Sequence, residues 1–473
     1  MYMKTRYKKF TSIFLIAALC HLGVGQSAAA FTIGEEREVG EKLLYTIRSA
    51  YELIDDPDVS QYINSLGRDV LQVAGIQYFD YHFFIINESE FNAFAAPSGL
   101  IFFNSGLIGT MNSENELVSV MAHEIGHIAK RHLASRMEKG KIVSIASLGM
   151  ALAALALGSG AAAPTLFVGS LAVGQSAVLQ FSRQDEEEAD LLAYGWMKKM
   201  GRNPEGEERM LQTMRRIARY RSEKMPQYLL THPDSEARLD YVQSLLENES
   251  KEAKKYSSVN EFAFLRFKYR IMSLVKDQST LRTYLANIMG NAQSTPLAVN
   301  MAKYGMSQLD RLENNFDSSL KLLNEVIAAY PQYPILLVDR AVIQLAAGRD
   351  VEATKTLQGV LQKDKENVHA MFYLAKSLIQ QGKQREAEEY LKEVALEMPE
   401  YSKVYFELGQ LAANQGKAGA SSCYLGKYYL YEGKIPLARQ NFLIAVRNTS
   451  TPDILRKESQ ALLDTIKRLE GAD

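Results

Sequence analysis

Cysteine is nearly missing from this chain: there are two in 473 residues, and one of them, Cys20, falls in a segment expected to be removed. Only Cys423 then remains, so no disulfide can form within the mature chain, and its compartment has to be read from other features. An excess of basic charge is lacking too. Lys and Arg number 54 against 55 Asp and Glu, and losing Lys4, Arg6, Lys8 and Lys9 with the leader leaves 50 against 55. A mildly acidic protein of this kind excludes nucleic-acid binding as its business. Histidine is as scarce, with 7 in the chain, and hydrophobic and charged residues at 47% and 23% exclude a disordered or fibrous class. A length of 473 residues exceeds one ordinary core, which predicts two or three domains.

What is present begins with a leader. Met1 to Phe10 carries four bases and no acid, Ile13 to Leu19 is apolar, and Ala28-Ala29-Ala30 supplies a small-x-small cleavage signal. The expectation is export with cleavage after Ala30. A retained anchor would need an apolar run of roughly 20 residues, and lipid attachment at Cys20 would need a small residue where Leu19 stands.

Tyr78 to Asn87 and Gly99 to Asn104 are rich in aromatic and β-branched residues, which predicts strands. Ser113 and Glu116 have capping-box spacing and announce a helix. From Ile142 to Ser182 no residue is charged, and Gly158-Ser159-Gly160 with Pro164 divides the stretch into two short apolar helices. Such a hairpin either packs on the protein itself or touches membrane or apolar substrate.

Past Lys251 the pattern is helical throughout. Gly348, Gly382 and Gly416 recur every 34 residues, followed five positions later by Ala353, Ala387 and Ser421, with Pro331, Lys365 and Pro399 in register and Gly433 with Ala438 marking one further pair. That period is that of the tetratricopeptide repeat. Close helix crossing is the expected reason for the small residues, and a groove for peptides or partner proteins is the expected product.

The chemistry centres on His123-Glu124-Ile125-Gly126-His127. Histidines four apart share one helix face and can hold one zinc ion. Two imidazoles need a third protein ligand to make a catalytic site with one place left open. Asp185-Glu186-Glu187-Glu188-Ala189-Asp190 offers it on a second predicted helix running to Met200: Glu186 for the metal and Asp190, one turn on, for a ligating histidine's other nitrogen, with Glu187 and Glu188 as solvated surface. Glu124, next to His123, is the candidate general base, taking a proton from water and returning it to the departing amine. His132 falls on the far side of a continued helix and reads as a surface residue; His82 and His369 read as structural.

Together with Asn92-Ala93-Phe94-Ala95-Ala96-Pro97, Gly99-Leu100-Ile101, and Thr231-His232-Pro233 followed by Arg238, these motifs resemble the zinc peptidase family that includes the CAAX prenyl proteases and HtpX, over roughly Glu35 to Leu245. The resemblance implies one Zn2+ per chain on His123, His127 and Glu186, with Asp190 supporting a ligand. It implies His232 as a transition-state donor or a resting-state fourth ligand. It also implies substrate contacts at Gly99, Leu100, Ile101 and Arg238, with Gly99 to Phe103 as an edge strand along which substrate lies.

Members with a leader in front and repeats behind imply a periplasmic endopeptidase. Its substrates would be unfolded or misassembled outer-membrane proteins, and its repeats would reach the outer-membrane assembly machinery. The other reading is a chaperone or scaffold whose zinc domain is latent or structural. The predicted fold is mostly α (α+β): a zincin-type metallopeptidase domain with a small β-sheet, then an α-helical tetratricopeptide-repeat solenoid. Residues 1–30 are the signal peptide, 31–255 the peptidase domain with 142–182 as an apolar hairpin insertion, 256–300 a helical linker and 301–470 the repeats.

Overall fold

The computed structural model describes residues 32–138, 179–220, 226–248 and 256–470, apart from 258 and 276. The leader and nearly all of the apolar hairpin expected at 142–182 lie outside the described residues. Two long helices open the fold. Helix α1 (Ile33–Ala50) starts at a capping box between Thr32 and Glu35, and α2 (Pro57–Ala74) starts on Asp56, whose side chain accepts from the amides of Asp58 and Val59 ahead of a first-turn proline.

Between them and the next helices lies a three-stranded sheet of β1 (His82–Ile86), β2 (Ala93–Ala96) and β3 (Leu100–Asn104), in the order β1-β3-β2. β1 runs parallel to β3 and β2 antiparallel to it. The segment expected at an edge, Gly99 to Phe103, is therefore the central strand with its preceding turn, and the edges are β1 and the short β2. Its Ala-Phe-Ala-Ala sequence has no β-branched residue to announce it; burial on both faces and pairing with β3 make it a strand. The β2–β3 turn takes Ser98 and Gly99 to φ of 71° and 82°, and a Cβ on Gly99 would stand 2.6 Å from the Asp80 carbonyl oxygen.

The rest of the peptidase half is helical: α3 (Ser105–Thr110), α4 (Glu114–Ala129), α5 (His132–Glu138), α6 (Arg183–Lys199), α7 (Glu205–Tyr220), α8 (Gln227–Thr231) and α9 (Ser235–Glu247). Helix α10 (Glu261–Leu274), expected within a linker, belongs to two cores at once. Its Phe264, Phe267 and Ile271 pack with the peptidase residues, while Phe262 and Tyr269 pack with the first repeat helices. From Gln278 to Glu470 only helices follow. The helix pairs of the predicted period are present, but the glycines act differently from expectation. At Gly348, Gly382 and Gly416 φ is 71°, 77° and 72°, and an added Cβ would meet nothing within 4 Å. They end helices in the left-handed conformation, while Ala353 and Ala387 are the small residues at the buried crossings.

The two halves are joined by a buried ionic network. Arg266 on α10 pairs with Asp339 at 2.8 Å and with Asp58 at 2.8 Å, and Arg270 pairs with Asp339 at 2.8 Å and with Asp56 at 2.9 Å. Asp56 and Asp58 begin α2, whereas Asp339 belongs to the repeats. The last repeats then return to α1: Arg48 pairs with Glu400, Arg468 with Glu41, and Ser402 donates to Asp55. Among the described residues no helix is long and apolar enough to cross a membrane.

Removing one partner of a buried ion pair leaves uncompensated charge, so Asp339→Ala is expected to cost about 3–5 kcal/mol, read from urea unfolding at pH 7. Burial opposes ionisation of Asp56 and Asp58, but Arg270 and Arg266 respectively hold their carboxyls below the usual carboxylate range. Depressed carboxyl pKa values stabilise above the unfolded value of about 4 and cease to do so as pH falls through the folded value. Wild-type stability should therefore decline on acidification below about pH 4; a flat profile there would contradict this account.

Candidate metal centre

Helix α4 is capped by Ser113, whose side chain accepts from the Glu116 amide, while Glu116 reaches back to the amide of Asn112. Helix α6 is capped by a full box between Ser182 and Asp185. The two helices press together where both motifs carry a small residue: a Cβ on Gly126 would stand 3.3 Å from Ala189 Cα and 3.5 Å from its Cβ. At that separation the side chains one residue or one turn away converge. His123 Nε2 lies 3.0 Å from His127 Nε2 and 3.6 Å from Glu186 Oε2, and His127 Nε2 lies 3.4 Å from Glu186 Oε1.

A fourth group comes from the residue after α8. His232 Nδ1 is 3.3 Å from His123 Nε2 and 3.0 Å from Glu186 Oε1. Its ring stacks on Tyr228 at 4.4 Å, and its amide donates to the Tyr228 carbonyl. One donor atom from each of His123, His127, Glu186 and His232 falls within 4.8 Å of all the others, and all four residues are buried.

The remaining atoms of these groups are held from outside. His123 Nδ1 lies 2.8 Å from Asp190 Oδ1, and Asp190 is gripped bidentately by Arg238 at 2.7 and 2.8 Å. Arg238 also pairs with Glu186 Oε2 at 2.7 Å, turning Oε1 toward the imidazoles. Arg238, expected to touch substrate, is instead buried behind the site as the anchor of two carboxylates. Leu100 and Ile101, expected likewise, are buried in the central strand, and Gly99 lies buried in the turn before it.

His132, expected on the surface, is buried with its Nδ1 2.8 Å from His127 Nδ1. The expectation assumed an unbroken helix; α4 ends at Ala129 and Arg131 takes φ of 51°, reversing the chain. Phe181 was not anticipated either: it stacks on His127 with ring centroids 3.9 Å apart. Glu187 is exposed, as read from the sequence, but Glu188, expected on the same solvated surface, is only partly exposed and faces His132 Nε2 at 3.5 Å; His82, read as structural, is exposed at the start of β1.

Electrostatics divide the groups by role. Burial opposes ionisation of Glu186, yet its surroundings of His232, the Arg238 guanidinium and His127 hold its carboxyl well below the usual range. Burial, then the Arg238 charge, pushes His123 down to about 3, so its imidazole is neutral and able to ligate. Glu124 is different. Neither of its oxygens has a side-chain hydrogen-bond partner, His232 Nε2 being 3.6 Å away, and burial, aided by the Glu186 charge and opposed by His127 and the Ala95 amide, raises it to about 7.

The donor set fits zinc. With the Nδ1 atoms of His123 and His127 committed to Asp190 and His132, two Nε2 lone pairs face each other at 3.0 Å, which a cation between them makes favourable. One ligand atom from each of the four residues, all within 4.8 Å of one another, leaves room for a single small cation held by nitrogen and oxygen, as zinc is.

Two short-spaced histidines, a carboxylate from a neighbouring helix and a buried glutamate beside them define a metalloprotease centre. Residues 57–246 match the model of peptidase family M48, and residues 311–371 and 351–405 match that of the tetratricopeptide repeat. The chain is thus a metallopeptidase whose catalytic half matches the family M48 model, with tetratricopeptide-like helical repeats behind it. Over nearly its whole length it is similar to the beta-barrel assembly-enhancing proteases of Yersinia pestis and Escherichia coli strain K12. Each is 27% identical to it, across 94% of this chain and 91% of the relative. The metalloprotease LoiP of Escherichia coli strain K12 is 29% identical over 160 residues, which is 32% of this chain and 58% of LoiP.

His123→Ala is expected to abolish zinc uptake, measured by metal analysis of the purified protein. Asp190→Asn, which weakens the partner of His123 but leaves the ligands in place, should lower zinc affinity roughly 10–100-fold in chelator competition. An unchanged affinity would remove Asp190 from the metal's support.

Proposed function

We propose that this chain is a zinc-dependent endopeptidase of the periplasm that acts on misfolded or stalled outer-membrane proteins, with its repeats binding partners or client chains. The observation that carries the reading is Glu124, a fully buried carboxyl without a side-chain hydrogen-bond partner at the edge of a complete metal-ligand set. A purely structural zinc site has no use for such a base. Similarity to beta-barrel assembly-enhancing proteases along the whole chain supports the class of substrate and the role of the repeats.

His123, His127 and Glu186 would hold the zinc, which when bound supplies a Lewis acid for the scissile carbonyl and makes a water more acidic. Glu124 would take the proton of the attacking water as its oxygen adds to the scissile carbonyl, and give that proton to the amine as the C–N bond breaks. β2 has no strand partner on its outer side among the described residues, and its Ala95 amide interacts with the Glu124 carboxyl. An extended substrate added there would run past the base, so β2 takes the place that the sequence assigned to Gly99–Phe103.

His232 supports a second reading of the same centre. A catalytic zinc site keeps one position open, and His232 fills the fourth place of this set. The arrangement is that of an enzyme at rest, which must release His232 to work, and while closed it leaves the repeats free to act as a chaperone or scaffold.

Glu124→Gln should keep its zinc and lose roughly 10²–10⁴-fold in cleavage of an unfolded substrate; equal cleavage by wild type and variant would end the peptidase reading. His232→Ala should keep zinc and cleave the same substrate faster than wild type. Slower cleavage would make His232 a transition-state donor instead.

A further inference from the structure

The two metal-facing histidines of α4 are supported in different ways. His123 has a carboxylate behind it, Asp190, fixed by Arg238. His127 has an imidazole: its Nδ1 lies 2.8 Å from Nδ1 of His132, a contact between two buried rings tilted at 72°. The far nitrogen of His132, Nε2, faces Glu188 at 3.5 Å and Asp185 at 3.8 Å, both on the first turn of α6 or just past it.

Proton positions follow. A His127 that offers the Nε2 lone pair to a metal carries its proton on Nδ1. The atom opposite must then accept, so His132 bears its own proton on Nε2, where the two carboxylates of α6 attract it. Each nitrogen in the row has one role, and no proton is shared by two donors. From this geometry we infer that His132 is the positioning residue for the metal ligand His127. It accepts the Nδ1 proton, fixes the ring's tautomer and tilt, and ties α6 to the second ligand of α4 by a route independent of Asp190.

The chain reversal at Arg131 is what makes this possible. Arg131 holds φ of 51° and donates from Nε to Glu36 of α1 at 2.8 Å, so His132 returns beneath His127 rather than continuing around α4. Phe181 covers the other side of the His127 ring. The ring is thus held by one hydrogen bond in its plane and one stacked face, and loss of the in-plane bond leaves it able to rotate about its last side-chain torsion.

The inference rests on the metal centre proposed above, and the full mature chain tests it with two substitutions. In His132→Asn the amide oxygen can take the position of Nδ1, keeping an acceptor; in His132→Leu it is lost at similar bulk. Zinc affinity is measured by chelator competition, and ligand geometry by the visible spectrum of the cobalt-substituted protein. His132→Leu should bind zinc roughly 10–100-fold more weakly, with an altered cobalt spectrum, and His132→Asn should stay within about threefold of wild type in the same competition.

Wild-type affinity and spectrum in His132→Leu would overturn the inference, as would an equal loss in the Asn variant, which would reduce the contact to packing. Should His132→Leu fail to fold, nitrogen-proton correlation spectra of the zinc-loaded wild type decide instead. His132 protonated on Nε2 alone supports the assignment, and a proton on its Nδ1 refutes it. A wild-type chain that takes up no zinc at all would instead sink the reading of the centre itself.

Discussion

Everything at the centre depends on how closely α4 and α6 approach. Gly126 sits between His123 and His127, Ala189 sits between Glu186 and Asp190, and the two small residues are nearly in van der Waals contact. Interhelical distance is set by the side chains at the crossing. Larger residues here would move the carboxylate of Glu186 away from the imidazoles and the carboxylate of Asp190 away from His123 Nδ1 together. Glycine inside a helix costs up to about 1 kcal/mol relative to alanine, and tight crossing is what offsets it. The two motifs are in this sense one motif, divided between helices and completed only by their contact.

A second contact decides how the repeats are presented to that centre. Helix α10 contributes one face to each core, and its two arginines neutralise acids from the start of α2 and from the repeats. Buried ion pairs add little net stability compared with apolar packing, but they penalise wrong geometry heavily, because any displacement strands a charge away from water. Orientation between peptidase and repeats is therefore specified more sharply than apolar burial alone would specify it. Helix α1 extends this coupling: it pairs with late repeats through Arg48 and with the end of the motif helix through the Glu36–Arg131 contact.

The sequence made the metal cluster legible because its parts are local. Histidines at a four-residue interval, a carboxylate and its aspartate at the same interval, and a capping residue ahead of each helix all express helix periodicity, which one chain displays without any partner. The 34-residue period made the repeats legible for the same reason, although the reason for the glycines was misread: a left-handed helix end and a crowded crossing both demand a small residue, and only coordinates separate them. What stayed hidden was set by tertiary structure. β2 is a strand because β3 and the protein interior make it one; Arg238 turns inward because two carboxylates await it; and His132 comes under His127 because a single residue, Arg131, leaves the helical region. None of these has a periodic signature.

The ligands also differ in how firmly they are held, and that difference bears on latency. His123, His127 and Glu186 project from helices of 16 and 17 residues that are packed against one another and supported by Asp190, Arg238 and His132. His232 stands beyond a helix of five residues, at φ of −115°; outside the ligand set and Glu124, its ring is held by Tyr228 and Phe181 and its amide donates to the Tyr228 carbonyl. A short element beside a chain turn is where local opening costs least. Three ligands on long helices can keep the metal while the fourth departs, so the opening that catalysis demands need not dismantle the site. On the proposed reading, a client that displaces His232 meets a centre already assembled, with the buried Glu124 carboxyl held to no other side chain than His232.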